Sequence, residues 1–198
     1  MSLNLEKQMR LYGAYHHNSV NVVIHVVCVP AILMTFVVLF TNTPSVPLPS
    51  WLSVPYLPLN AGTFGVFIYS TLYILMEPVA GALLTPLLIG GAACANHLAS
   101  TYGATANYWA GGINAVSWIA QFVGHGAFEG RAPALLNNLV QALFLAPFFV
   151  WFEILFSLGY RPDLKNRLDK AVEEDMKKFK GKKGTEANGA ANGTKKTS

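Results

Sequence analysis

The sequence predicts an all-α, polytopic integral membrane helical bundle with about four to six membrane helices, and three observations predict it. The chain of 198 residues is 53% hydrophobic and only 12% charged, against about 25% charged in ordinary soluble domains. The charges are missing from the middle: between Arg10 and Glu129 the only formally charged side chain is Glu77. Apolar runs approaching twenty residues, the length that crosses about 30 Å of hydrocarbon, recur through that gap. A soluble fold needs charge on its surface, whereas a charge at mid-bilayer costs about 2.5–3.5 kcal/mol. The gap therefore reads as membrane.

The first run, Val20 to Thr41, is a span with Pro30 as a kink. No cleavable signal precedes it, so this span is expected to act as its own insertion signal. Residues 42–60 hold prolines at 44, 47, 49, 55 and 58 with Trp51 and Tyr56, a pattern for a non-helical interfacial loop. Thr63 to Met76 is a short apolar run, Glu77-Pro78 a break, and Val79 to Ala99 a third run; the pair reads as a helical hairpin. Ser100 to Asn107 is a small polar link. Tyr108 to Val123, with glycines at 111 and 112, suits a helix buried among others, and Pro133 to Leu158, broken near Pro147, is the last apolar segment. Cys28 and Cys94 have no metal-site spacing and read as small core residues.

Residues 1–160 thus form the membrane-embedded catalytic domain, 161–183 a charged cytosolic segment, and 184–198 a low-complexity disordered tail. Lys7 and Arg10 precede the first span and eleven Lys/Arg follow Gly159, so both termini are expected in the cytosol. Even spans are required, whereas five candidates are counted. Acidic residues such as Glu173, Glu174 and Asp175 are mixed with the basic ones, which suits a solvated tail near anionic lipid and not a nucleic-acid partner. No GxSxG, P-loop, HExxH or dinucleotide fingerprint is present.

Five histidines, at 16, 17, 25, 97 and 125, lie within or beside the charge gap. An imidazole at membrane depth is costly unless it faces a bundle interior, so the set points to metal binding or proton handling; singly, each also suits a hydrogen-bonded packing role. With Asn18 as N-cap, Asn21 and His25 share a face at i, i+4, and the His16-His17 loop can fold back over it. Gln121, His125 and Glu129 stack on one face if helical there, with Gly124 and Gly126 leaving room for close approach. Neutral imidazoles with a carboxylate are a donor set that iron(II) or zinc accepts. Asn18, Asn21 and Gln121 suit hydrogen bonding to such ligands or to neighbouring helices. Arg131, close to Glu129, suits either a substrate carboxylate or an interfacial anchor.

The stretch Tyr15-His16-His17-Asn18 with Asn21, His25 and Val29-Pro30, together with Trp118-Ile119, Gln121 to Gly126, Phe128 to Arg131, Pro133 to Leu135 and Asn138 to Gln141, resembles the fungal 2-hydroxy fatty acid dioxygenases of the endoplasmic reticulum membrane. The likeness runs from about Leu11 to Tyr160. It implies an iron(II)-dependent enzyme of α-oxidation that uses O₂ to shorten a long-chain 2-hydroxy fatty acid by one carbon, as in phytosphingosine breakdown. It further implies His16, His25 and His125 as iron ligands, His97 as the fourth, His17 as a lesser candidate, and Glu129 as ligand or base. The membrane lipid would concentrate the substrate, since burial gains about 0.8 kcal/mol per CH₂. Two other readings remain at this stage, a zinc-dependent lipid hydrolase and a non-enzymatic transporter or assembly factor.

Overall fold

The computed structural model describes residues 4–130 and 139–193, with side chains described except at 139–142 and 178–193. It is all-helical among the described residues: α1 Leu5–Tyr15, α2 Ser19–Phe40, α3 Ala61–Met76, α4 Pro78–Tyr102, α5 Ala104–Gly124, α6 Leu139–Ser157 and α7 Pro162–Gly193. Short polar side chains start the helices. Asn4 accepts from the Lys7 N–H, Asn18 from Val20 and Asn60 from Thr63, each satisfying a donor that the first helical turn leaves open. Glu77 does the same for α4, its Oε2 accepting from Ala80 N–H ahead of Pro78 at the first helical position.

Helices α2 to α5 run alternately up and down. Gly62 lies so close to α2 that an added Cβ would stand 2.7 Å from the Val37 carbonyl, and Asn42 exchanges hydrogen bonds with Asn107. Asn60 donates to Asn96. These contacts gather the 41–60 loop, the end of α4 and the start of α5 at one end. At the opposite end Glu77, between α3 and α4, accepts from Tyr160 Oη and lies 3.6 Å from Arg161. His125, after α5, meets His16 and His25 at that same end. Four passes return the chain to the side on which it began.

Of these, α2 and α4 are each long and apolar enough to cross a membrane, and α6 with α7 would make a third span only if the pair, bent by 116°, is counted as one. The expected hairpin of α3 and α4 is present and tightly closed, because an added Cβ at Gly81 would run into the backbone of Tyr73 and Ile74. Gly81→Ala is therefore expected to lower stability by about 1–3 kcal/mol, the usual effect of overpacking. Thermal unfolding in detergent checks this, and an unshifted midpoint would mean that the hairpin relaxes.

Three expectations need correction. The polar link at 100–107 is nearly all helix, interrupted only at Gly103, whose φ of +53° suits glycine. Helix α5 is not buried among others: Tyr108, Trp109, Val116 and Ile119 are exposed, and only Ala110, Ser117, Gln121 and Gly124 are buried. That one-sided apolar exposure suits lipid. Cys94 is exposed and Cys28 only half-buried, so neither is a core residue. Helix α7 continues through the charged segment to Gly193. Its first turns clamp α1, with Leu164 and Leu168 joining the core that contains Leu5 and Met9, and Arg10 donating twice to Asp175 at 2.6 Å.

Candidate metal centre and apolar groove

The site is assembled from three chain segments. His16 sits in the non-helical joint between α1 and α2, His25 lies two turns into α2, and His125 opens the turn after α5. The ring centroids of these three lie 4.4 Å (16 to 25), 4.7 Å (16 to 125) and 4.9 Å (25 to 125) apart, with interplanar angles of 72–80°. One nitrogen from each falls within 4.8 Å of the others.

Backbone carbonyls orient two of the rings. His16 Nδ1 is 3.0 Å from the Tyr12 carbonyl, and His25 Nδ1 is 2.9 Å from the Asn21 carbonyl, both four residues back. Each Nδ1 donates its proton there, leaving Nε2 as the lone-pair nitrogen. The Tyr12 ring stacks on His16 at 4.1 Å. Burial holds the His16 imidazole well below its ordinary pKa range, with His25 adding in the same direction. The neutral form is the one that binds a metal. His125 Nδ1 is buried with no hydrogen-bond partner in the structure, an orphaned atom of the kind a ligand or ion explains. Three neutral imidazoles aimed at one point, with no carboxylate among them, fit iron(II) or zinc and leave coordination positions open.

Glu129 ties the segments together. Its Oε1 accepts from the backbone N–H groups of His17 and Asn18, at 3.0 and 2.9 Å, and from Asn21 Nδ2 at 3.2 Å. His17 Nδ1 is 2.6 Å from its Oε2. Oε1 is thus spent on the joint that carries His16, while Oε2 is buried without a hydrogen bond and faces the His17 ring. A regular helix through this stretch would stack Gln121, His125 and Glu129 on one face, and Gly124 and Gly126 could equally end it. The structure instead has a π-helical turn over His125–Glu129, ending at Gly130 with φ +61°. The extra residue per turn swings Glu129 towards the α2 N-terminus. Gly124 makes the approach possible, since a Cβ there would stand 2.5 Å from Asn21 Oδ1. Gly124→Ala is expected to push α5 off α2 and to weaken metal binding about tenfold or more; a metal titration with unchanged affinity would show that Asn21 simply moves aside.

His97 is not brought to the cluster. It is exposed near the end of α4, edge-on to Tyr56 at 5.0 Å. Arg131 lies outside the described residues, as do Asn137 and Asn138. Tyr12 was missed; its position four residues before His16 was the available signal.

The three histidines close one end of a cavity of about 540 Å³. Along α2 its wall is His25, Val29, Ile32, Leu33, Phe36, Val37 and Phe40, a single helical stripe. Facing it are Gly62, Gly65, Val66 and Tyr69 of α3, with α6 residues such as Phe149 and Val150 on the third side. From His25 to Phe40 the groove extends about 22 Å at 1.5 Å per residue. Apart from the histidines, its polar lining among the described residues is Gln8, Gln121, the tyrosines 12, 15 and 69 and the Trp118 indole. Gln121 Nε2 and Tyr12 Oη are buried there without partners.

The family described as 2-hydroxy-palmitic acid dioxygenase Mpo1-like matches residues 2–158. The chain is 40% identical over 174 residues to the 2-hydroxy-palmitic acid dioxygenase MPO1 of Saccharomyces cerevisiae, covering 86% of this chain and 91% of that protein. No solved structure matches it significantly.

Proposed function

The chain belongs to the 2-hydroxy-palmitic acid dioxygenase Mpo1-like family, and from that premise we propose that it is an iron(II)-dependent dioxygenase acting on long-chain 2-hydroxy fatty acids. The observation that carries the reading is the triple-histidine cluster at the end of a long apolar groove. Overall, a 2-hydroxy acid and O₂ give the acid one carbon shorter, CO₂ and water, so the C1–C2 and C2–H bonds of the substrate together supply the four electrons and no cosubstrate is needed.

His16, His25 and His125 would hold the iron, which supplies chelation of the substrate's carboxylate and 2-hydroxyl and activation of O₂. The protein's own residues do the positioning. Tyr12 and Asn21 carbonyls fix the two imidazoles in the Nε2-ligating tautomer. Glu129 acts as a positioning residue, holding the joint that carries His16. The α2 and α3 stripes take the acyl tail, each buried methylene gaining about 0.8 kcal/mol, and exclude water from the reacting end. Arg131 near Glu129 is assigned to the carboxylate on its charge and its place in the sequence.

We further infer a membrane protein with α2 to α5 as four spans and both termini cytosolic, in the endoplasmic reticulum as the family resemblance implies. The alternating course of these helices, the exposed apolar face of α5 and the basic residues at both chain ends support this. Anaerobic iron(II) loading of detergent-purified protein, followed by air and 2-hydroxypalmitate, is expected to yield pentadecanoic acid in an iron-dependent manner. Folded, iron-loaded protein that leaves the hydroxy acid untouched would overturn the assignment, and release of fatty acid from a lipid ester by the zinc-loaded protein would redirect it to hydrolysis.

A further inference from the structure

The groove's two ends differ. At the histidine end Tyr12, His25, Gln121 and His125 are buried and polar groups converge, with Leu11 and Phe122 exposed at the rim, whereas at the far end Phe40 is 50% exposed and Ala61 is exposed. Between them, on α3, the groove-facing positions Gly62, Gly65, Val66 and Tyr69 follow the i, i+3, i+4, i+7 stripe of one helix face. The two glycines in that stripe do different things. Gly62 is small because α2 presses against it, its added Cβ meeting the Val37 carbonyl. Gly65 has no such neighbour: among the described residues nothing lies within 4 Å of a Cβ built there. Helix packing therefore gives no reason for its smallness, and what a side chain would occupy is the groove itself.

We propose that Gly65 sets the acyl-chain length that this protein accepts, by leaving the outer half of the groove open so that a long tail runs past it and leaves between Phe40 and Ala61. The inference rests on the reading of the groove as the substrate's tail site. Gly65 lies about one turn along α3 from Gly62, which marks the level of Val37, and α3 runs back towards the histidines. Its level on α2 is therefore near Leu33 to Phe36, roughly 12–17 Å of helical rise from His25. A staggered hydrocarbon chain advances roughly 1.25 Å per carbon, a C–C bond of about 1.52 Å projected on its axis. The position is reached by about the tenth to thirteenth carbon of the tail. Tails shorter than that end before Gly65, and longer ones must pass it.

Gly65→Phe, read with 2-hydroxydecanoate and 2-hydroxypalmitate, is the test. The ratio of kcat/KM for the longer to the shorter acid is expected to fall at least about tenfold, since each methylene kept out of the groove forgoes roughly a fourfold gain. Gly65→Leu should shift the ratio in the same direction by less. A ratio unchanged in both variants, or equal loss at both lengths, overturns the proposal. Binding is read separately, by competition of the same two acids against a fluorescent long-chain fatty acid. If the wild-type protein binds the longer acid more tightly and Gly65→Phe erases that preference, yet neither acid is turned over, the dioxygenase reading fails and the length-setting role of Gly65 stands.

Discussion

His25→Ala is expected to abolish both iron binding and turnover, with a loss of activity on the order of a thousandfold or more. The expectation follows from geometry. His25 is buried on α2, its Nδ1 is committed to the Asn21 carbonyl, and its ring lies edge-on to both other imidazoles. Removing it leaves two donors, too few to hold a divalent ion against water, and opens a buried void. A merely structural histidine would behave differently. Its loss would lower the unfolding temperature while iron still bound, so calorimetry and elemental analysis on one sample separate the two roles. Because the three imidazoles act as a unit, His16→Ala/His25→Ala should cost little more than either single change. Fully additive losses would argue against a shared ion.

Glu129→Ala is expected to have the second largest effect, and by another route. The carboxylate serves two backbone N–H groups, the Asn21 amide and His17 at once. Alanine strands the buried Asn21 amide, at a cost of about 1–3 kcal/mol for an unmet buried group, and leaves the part-buried N–H groups of His17 and Asn18 to water. The joint carrying His16 then loosens, and metal affinity should fall about 10–100-fold, the usual range for losing a residue that supports a ligand. Glu129→Gln keeps an oxygen for the N–H groups and should recover most of the stability. If Glu129 were itself an iron ligand, the glutamine variant would instead lose iron as completely as His25→Ala, and iron spectroscopy of the loaded protein would show the altered donor set.

Much of this architecture was legible in the residues because hydrophobicity and capping are local. Val20 to Thr41 and Thr63 to Met76 are close to α2 and α3, Asn18 caps α2 as expected, and Glu77-Pro78 is the turn between α3 and α4. The grouping of His16, His25 and His125 was implied by the family resemblance, whereas the residues alone pointed only to a set of five histidines within or beside the charge gap. His97 shows what periodicity withholds. It gives the face of a helix and not its depth, and alternating passes carry the end of α4 to the end of the bundle opposite His25. The π-helical turn was illegible for a related reason, since five residues in place of four leave no local signature in HGAFE. The groove is illegible too, because a glycine that spares a neighbouring helix and one that spares a ligand read alike.

The clamp of α7 on α1 has a consequence for the order of events during synthesis. His16 rests on the Tyr12 carbonyl and on the Tyr12 ring, and Tyr12 belongs to the helix that Arg10 fastens to Asp175. The earliest ligand to leave the ribosome is thus steadied by one of the last helices to be made. At about 5–20 residues per second, roughly 8–30 seconds separate His25 from Asp175. His125 follows after the first two thirds of that interval, but the brace beneath α1 is missing for all of it, so products truncated before α7 are expected to hold the metal less firmly than the finished chain.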